Sequence, residues 1–373
     1  MEHAFAPSAH GPWSLGIEEE LMIVDGQGDL VNAIEQLLKG EGFGPGEDGV
    51  VQPELMESVL EIATPPLANT AEAGRALRAL RARVIASAGA HDLQIASAGT
   101  HPFARWEDQR IVARSRYRDL INALRFVARQ ELIFGLHVHV GVDDPDKAVH
   151  VANGMRVHAP ILQALSANSP YWRGDRTGLE STRTPIFRQF PRVGIPPRYE
   201  DWADYERQID FMVRSGVMED YTFLWYDVRP HPRFGTVEVR ACDAQTRVEH
   251  TLGLAALIQA MVKELGEHYD SGQKLTEYPF QMLDENKWLA ARHGLDGQLV
   301  DLPSSDRVAA RDLAARLLDR LRPHAQDLGS ANELEGIQDL LDRGTGAHRQ
   351  VVVFEANQDM RELMHDIVDA TAP

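Results

Sequence analysis

Cysteine is nearly missing from this sequence of 373 residues, in which Cys242 is the only one. A single cysteine excludes an intrachain disulfide and a zinc site built from several cysteines, and it favours a reducing compartment. Long hydrophobic runs are missing too, since the longest, at about residues 252–262, is too short to span a bilayer. Residues 1–13 lack the apolar segment of a signal peptide. We therefore expect a cytoplasmic protein with no membrane partner.

Positive charge is scarce as well. Lysine and arginine number 38 against 56 aspartates and glutamates, which gives a formal net charge of -18. Without a basic surplus to meet phosphates, a nucleic-acid partner is not expected. A hydrophobic content of 43% is ordinary for a globular chain, and no repeat, low-complexity tract or clear linker divides the sequence. We therefore expect a single domain over residues 1–373.

The most informative segment lies between Ser14 and Asp25, where three successive acids interrupt an apolar run. Side chains alternate along a strand, so Glu18 and Glu20 would share one face, about 6.6 Å apart, while Glu19 points away. Two carboxylates at that spacing can bind a hard cation such as Mg²⁺. The alternative is a solvated edge strand whose charges discourage aggregation.

Three later segments each place two ionisable residues on one face: Glu57 and Glu61, His137 and His139, and Glu238 and Arg240. The first pair is aligned by either a strand or a helical period, so its local structure stays open. Each pair also has a plain interpretation, as surface acids, hydrogen-bonded core histidines or a surface ion pair. Acid-bearing strands separated by long helices nevertheless favour an antiparallel sheet with helices on its back and a polar face that lines an active-site trough.

A long irregular region runs from Ala167 to about Pro197 and carries Arg183, Arg188 and Arg192. Long irregular segments inside a compact domain are often functional, so one of these arginines is a candidate for binding a substrate carboxylate. A plain surface excursion is the alternative.

The remaining patterns predict helices over residues 110–130 and 306–321 and loops at residues 40–49 and 344–350. The first loop is not a phosphate loop, because no Gly-Lys-Ser/Thr ends it. The second could contact a nucleotide. A further group of nucleotide-binding candidates lies in a predicted helix over residues 279–293: Asn286, Lys287 and Arg292.

Taken together, these motifs resemble the glutamate–cysteine ligase type 2 family, the carboxylate–amine ligases of the glutamine-synthetase-like superfamily. The resemblance runs from Gly16 to about Gln350. Four motifs carry it in this order: Gly16–Glu20, Glu57–Pro65, Gly135–Gly141 and Gly235–Arg240.

The resemblance implies an α+β fold of the glutamine synthetase/guanido kinase type, in which a curved antiparallel sheet forms a funnel with helices packed on its outer face. It implies ATP as co-substrate and Mg²⁺, with Mn²⁺ as the alternative, as cofactor. The implied metal ligands are Glu18, Glu20, Glu61, His137 and Glu238. Arg240 would contact a phosphate or acyl phosphate, and Arg240 and Glu238 would serve catalysis. Whether Glu54, Glu57 and His139 are also ligands stays open.

The implied activity is ATP-dependent formation of an amide bond through an acyl phosphate. The acid would be glutamate or an analogue and the amine cysteine or another amine, with weak activity toward glutamate and cysteine themselves. One alternative is a metal-dependent hydrolase that uses the same acids and histidines without nucleotide. Another is a nucleotide-binding protein without catalysis. A homo-oligomer is compatible with the sequence.

Overall fold

The structure is a computed structural model that describes residues 5–39 and 44–373. The strands are β1 (Leu15–Val24), β2 (Gly44–Gly46), β3 (Gly49–Pro53), β4 (Val59–Ala63), β5 (Gln94–Ala96), β6 (Gly135–Gly141), β7 (Tyr171–Trp172), β8 (Asp175–Arg176), β9 (Val193–Gly194), β10 (Trp225–Tyr226), β11 (Val228–His231), β12 (Thr236–Asp243), β13 (Gln298–Asp301) and β14 (Asp306–Ala309).

The helices are α1 (Ile34–Leu37), α2 (Thr70–Gly89), α3 (Ser115–Leu124), α4 (Phe126–Arg129), α5 (Pro145–Met155), α6 (Ala159–Ser166), α7 (Arg183–Phe187), α8 (Trp202–Arg214), α9 (Val248–Asp270), α10 (Phe280–His293), α11 (Ala310–Asp327), α12 (Glu335–Arg343), α13 (Gly346–Asn357) and α14 (Met360–Ala370).

In the part of the chain that the structure describes, eight strands form one sheet in the order β11-β12-β6-β1-β4-β3-β2, and β5 also pairs with β1. Every pairing in this sheet is antiparallel. The predicted α+β class, with helices packed against an antiparallel sheet, is therefore confirmed. The extent of the domain, residues 1–373, stays a prediction.

The two faces of β1 have different surroundings, as the alternation of its residues predicts. Leu15, Ile17 and Leu21 are buried in the main hydrophobic core with residues of α2, α5 and α9. Glu19 shares this helical face, where it is fully buried against Arg81 of α2. Because side chains alternate, Glu18 and Glu20 lie on the opposite face of the sheet.

Strand register brings the polar residues of four strands together. Across β1, Glu18 is paired with His137 of β6, and Glu20 is paired with Glu61 of β4. Across the next pair of strands, Glu238 of β12 is paired with His139 of β6. An irregularity between Val239 and Cys242 then shifts the register of β12 against β6.

Two predicted helices differ from the observed elements. The predicted helix over residues 110–130 is two helices, α3 and α4, because Arg125 adopts a left-handed φ of 52° that ends the first one. The predicted helix over residues 306–321 begins only at Ala310, because residues 306–309 pair with β13 as strand β14.

The two predicted loops also differ. Residues 40–43 of the first lie outside the described residues, and the rest of it contributes to the hairpin of β2 and β3. In the second, the Thr345 side chain accepts a hydrogen bond from the backbone N–H of His348 and caps α13, so most of that segment is helical. Among the described residues, no helix has both the length and the apolar character needed to cross a membrane.

Candidate active site

The polar face of the sheet carries a group of side chains that we call the polar cluster: Glu18, Glu20, Glu61, His137, His139, Glu238 and Arg240. It contains every predicted metal ligand and the predicted phosphate contact. The structure therefore brings these predicted site residues together, although their roles stay predictions.

One side of the polar cluster could hold a metal ion between Glu18, His137 and Glu238. One potential ligand atom from each of these residues lies within 4.8 Å of the others. His137 Nδ1 is 3.2 Å from Glu18 Oε2. These residues come from three adjacent strands, so the backbone pairing of the sheet sets their spacing.

A second potential metal site shares His137 and adds Glu20 and Glu61, whose ligand atoms also lie within 4.8 Å of one another. His137 Nε2 is 4.0 Å from Glu20 Oε1. The backbone N–H of Gly135 donates to Glu20 Oε2 at 2.5 Å, and Gln52 Nε2 donates to Glu61 Oε1 at 2.6 Å. These contacts hold one oxygen of each carboxylate and leave the other for a ligand.

Two arginines fix the Glu238 carboxylate, which is only 1% exposed. Arg229 Nε donates to Glu238 Oε2 at 2.6 Å, and an Arg240 Nη donates to Oε1 at 2.5 Å. Burial acts to raise the pKa of Glu238, but the charges of Arg229 and Arg240 outweigh it and hold that pKa well below its usual range. The two arginines therefore favour the ionised form of Glu238, which is the form that binds a metal.

The Glu20 side of the polar cluster carries an excess of negative charge. Burial and the charges of Glu18 and Glu54 raise the pKa of Glu61 well above its usual range. Burial and the charge of Glu20 raise the pKa of Glu54 to about 7. Burial and the charges of Glu54 and Glu20 also raise the pKa of Glu131. Arg240 opposes the pKa shifts of Glu54 and Glu131, but among the described residues no lysine or arginine forms an ion pair with Glu54, Glu61 or Glu131.

The donor set fits a hard divalent cation. Two of the three residues in each potential site are carboxylates, which suit Mg²⁺ or Mn²⁺, and His137 adds one nitrogen, whereas zinc sites of the cysteine type would need thiolates. His137 Nε2 is buried, and within the described ranges no hydrogen-bond partner reaches it. A cation between Glu20, Glu61 and His137 would satisfy this nitrogen and neutralise the crowded acids.

The three residues whose role the sequence left open differ in their contacts with the polar cluster. His139 Nε2 is 3.4 Å from Glu18 Oε1, while its Nδ1 is hydrogen-bonded to the Thr236 hydroxyl at 3.0 Å. Glu54 lies close enough to Glu20 for the charge of Glu20 to raise the pKa of Glu54. Glu57 lies in the turn before β4 and pairs with Arg110 at 2.8 Å, so it belongs to a separate ion pair.

The predicted nucleotide contacts on α10 use their side chains within the protein. Asn286 bonds both backbone groups of Val300, at 2.8 and 2.7 Å. Lys287 Nζ is 2.5 Å from each carboxylate oxygen of Asp227. Arg292 donates to the carbonyl of Gly178.

Of these three, Lys287 is linked to the polar cluster through its partner, because the Asp227 carbonyl accepts a hydrogen bond of 2.7 Å from the backbone N–H of Arg240. The contacts of Asn286 and Arg292 are with other segments. The nucleotide role of all three residues stays a prediction.

The sequence reasoning missed two residues of this site. Arg229 stands opposite Glu238 in the β11–β12 register, and that pairing is readable only once the two strands are aligned. Glu131 precedes β6 and belongs to no periodic element, so no pattern in the sequence marked it.

Two solved structures share this fold. The structure superposes on a glutamate–cysteine ligase from Francisella tularensis, solved in complex with AMP, with a TM-score of 0.71, 14% identity and coverage of 99% of this chain and 89% of that chain. A bifunctional glutathione synthetase from Pasteurella multocida gives a TM-score of 0.71 at 16% identity, covering 96% of this chain and 52% of that one. At such identities the likeness shows the fold alone.

Sequence comparison then identifies the family. The sequence model of the family described as "Glutamate-cysteine ligase family 2" matches residues 14–370, so the chain belongs to that family. A protein of Rubrobacter xylanophilus with the name "Putative glutamate--cysteine ligase 2-1" is 45% identical over 362 residues, which cover 97% of this chain and 95% of the relative. The predicted family membership and fold are confirmed.

Proposed function

We propose that this protein is an ATP-dependent carboxylate–amine ligase, which joins a carboxylate such as glutamate to an amine such as cysteine through an acyl phosphate. The observation that carries the proposal is the convergence of two potential metal sites and Arg240 on one face of the sheet. Family membership and the AMP-bound structural relative support an adenine nucleotide, and the family name supports glutamate and cysteine as substrates.

The metal would supply charge neutralisation. Mg²⁺ or Mn²⁺ held by the two ligand groups that share His137 would offset the negative charge of the triphosphate and of the phosphoryl group in transit. The chain itself contributes the fixed geometry, since the ligands project from paired strands and Glu238 is held by two arginines.

The reaction would then proceed in two steps. An oxygen of the substrate carboxylate attacks the γ-phosphorus of ATP and ADP leaves. The amine next attacks the acyl carbon, loses a proton, and expels phosphate. Both new bonds join substrate atoms, so no protein nucleophile is required, and the single buried thiol, Cys242, has no role.

Arg240 would stabilise the phosphoryl group and the acyl phosphate. Its guanidinium reaches Glu238 at 2.5 Å and lies 3.4 Å from His137 Nδ1, at the edge of the first potential metal site. A planar fork of N–H donors placed there suits a group with several phosphate oxygens. Such preorganised charge is the main source of rate enhancement in phosphoryl transfer.

The test is ADP release with Mg²⁺ and ATP across a panel of acids and amines that begins with glutamate plus cysteine. We expect ADP and amide in equal amounts, and no ADP when either organic substrate is left out. Cleavage of an amide or phosphoester without nucleotide would favour the metal-dependent hydrolase. ATP binding without turnover for any pair would favour the non-catalytic alternative.

A further inference from the structure

The structure distinguishes the three arginines of the irregular region between residues 167 and 197. Arg188 forms two hydrogen bonds of 2.7 Å with the carboxylate of Asp284, and its side chain is exposed. Arg192 donates its Nε to the carbonyl of Phe223 at 3.0 Å and lies over the ring of Trp225. Arg183 lies over the ring of Phe187, 5.6 Å from its centroid, but it differs from the other two in the hydrogen bonds of its guanidinium.

Arg183 is the first residue of α7 and lies against the polar cluster with only 4% of its surface exposed. A Cβ built on Gly135 would come within 2.5 Å of Arg183 Nη2 and 3.0 Å of His137 Nε2. The guanidinium and the imidazole nitrogen therefore border the same small space. Arg240 lies on the other side of the same imidazole, 3.4 Å from His137 Nδ1.

The charge of Arg183 is poorly satisfied. Its Nη atoms make only long hydrogen bonds, of 3.5 and 3.4 Å, to the carbonyl of Arg240, and its buried Nε has no partner among the described residues. No carboxylate in the described ranges forms an ion pair with it, in contrast to Arg188 with Asp284 and Lys287 with Asp227.

Two acids, Asp243 and Glu131, interact electrostatically with Arg183, but in the described ranges neither forms an ion pair with it. The oxygens of Asp243 accept hydrogen bonds from the backbone N–H of Asn168 and from the hydroxyls of Ser169 and Ser181, at 2.6–2.9 Å. A buried cation without a hydrogen-bonded counter-ion is costly, and a bound anion would remove that cost.

We propose that Arg183 binds an oxyanion of the substrates in the polar cluster, beside His137 and opposite Arg240. This proposal rests on the proposed function for the identity of those substrates. Two sources share the required chemistry: the terminal phosphate of ATP and the carboxylate of the acid. Either one would give the guanidinium the charged acceptor that the protein does not supply, in a geometry that a planar fork can hold with two bonds.

The test compares Arg183→Gln with Arg188→Gln and Arg192→Gln, which remove a guanidinium from the same region of the chain. Titration calorimetry measures equilibrium binding of Mg-ATP and, separately, of glutamate, so that no turnover is needed. We expect Arg183→Gln to weaken one of the two ligands by about tenfold or more, since it removes charge-assisted hydrogen bonds. The ligand that is weakened identifies the source of the oxyanion. The two control variants should bind both ligands as the wild type does.

Arg183→Lys is a second variant that keeps the positive charge, so that a loss of binding can be distinguished from a loss of folding. It should melt close to the wild type and still bind the same ligand more weakly, because a point charge does not reproduce the fork. If the Arg183 variants bind both ligands like the wild type, or only their melting temperature falls, the proposal is wrong.

Failure of the proposed function would give a different result from failure of the proposal for Arg183. A wild-type chain that binds Mg-ATP and glutamate but releases no ADP with any amine would contradict the ligase activity, while the binding comparison would still decide the role of Arg183. A wild-type chain that binds neither probe would overturn both proposals.

Discussion

Arg81 and Glu19 form a fully buried, bidentate ion pair beneath the sheet, in which Arg81 Nε and Nη2 donate to the two carboxylate oxygens at 2.9 and 2.8 Å. The hydroxyl of Thr251 donates to Glu19 as well, at 2.6 Å, and Arg81 also donates to backbone carbonyls, including those of Gln245 and Thr246. The pair ties β1 to α2 and to the start of α9. It therefore anchors, from behind, the strand that presents Glu18 and Glu20.

We expect Arg81→Ala to be strongly destabilising, because it leaves the Glu19 charge buried without its partner. The loss should be roughly 3–5 kcal/mol in the free energy of unfolding, measured by urea denaturation. Arg78→Ala on the same helix is the matched control, because its ion pair with Glu249 is solvent-exposed and should contribute about 1 kcal/mol or less. Equal losses for the two variants would contradict the structural role of the buried pair.

Removing a carboxylate of the polar cluster should impair turnover. The fold should stay intact in Glu18→Gln and Glu20→Gln, whereas Glu238→Gln also breaks two buried ion pairs and should lower stability. We expect Glu18→Gln, Glu20→Gln and Glu238→Gln each to lower the rate of ADP release by about a hundredfold or more, since each removes a potential metal ligand. Mn²⁺ binding, followed by electron paramagnetic resonance, should weaken in parallel. The control is Glu355→Gln, which alters a solvent-exposed ion pair with Arg176. Full activity in all three cluster variants would remove the metal assignment.

Filling the space beside His137 should impair activity without removing any hydrogen-bond donor or potential metal ligand. A Cβ at Gly135 falls 2.5 Å from Arg183 Nη2 and 3.0 Å from His137 Nε2, so Gly135→Ala should displace both groups. We expect a fall in kcat/KM of about tenfold or more, by analogy with small misplacements of catalytic groups. Gly89→Ala is the control, because nothing lies within 4 Å of its added Cβ. Wild-type kinetics for Gly135→Ala would contradict the close approach of these side chains.

The crowded acids should make metal binding and stability depend on pH in opposite ways. In the metal-free protein the pKa of Glu54 is raised to about 7 by burial and by the charge of Glu20. A carboxyl whose folded-state pKa is raised binds more protons when folded, so its contribution to stability is lost as the pH rises from its ordinary pKa of 4.5 to about 7. Metal affinity should instead increase over the same range, because the acids lose their competing protons.

This dependence can be measured between about pH 4.5 and pH 7 by urea denaturation without metal and by Mn²⁺ titration. Saturating Mg²⁺ should reduce the loss of stability at the higher pH. A metal-free protein whose stability rises through this range, together with a metal affinity that does not change, would contradict the electrostatic description of the cluster.

Much of the site could be predicted because strands have a period of two. The alternation in β1 separated Glu18 and Glu20 from Glu19, and the same rule gave the faces of His137 and Glu238. These residues lie in short strands, where the position of a residue in the sequence determines the face on which its side chain lies.

What the sequence could not give depends on contacts between distant segments. Arg183, Arg188 and Arg192 lie in a region without periodicity. Only their contacts distinguish Arg183, whose buried Nε has no hydrogen-bond partner in the described ranges, from the other two. Likewise, the ion pair of Lys287 with Asp227 joins residues 60 positions apart, which no local pattern reveals.

The most direct test of the central claim follows an oxygen atom from the acid to the released phosphate. Glutamate labelled with ¹⁸O in its carboxylates is incubated with the wild-type protein, Mg-ATP and the amine that gives the fastest ADP release. If the carboxylate attacks the γ-phosphate of ATP, each phosphate released should carry one ¹⁸O atom, detected by mass spectrometry. Phosphate without the label, formed along with the amide, would contradict the acyl-phosphate mechanism.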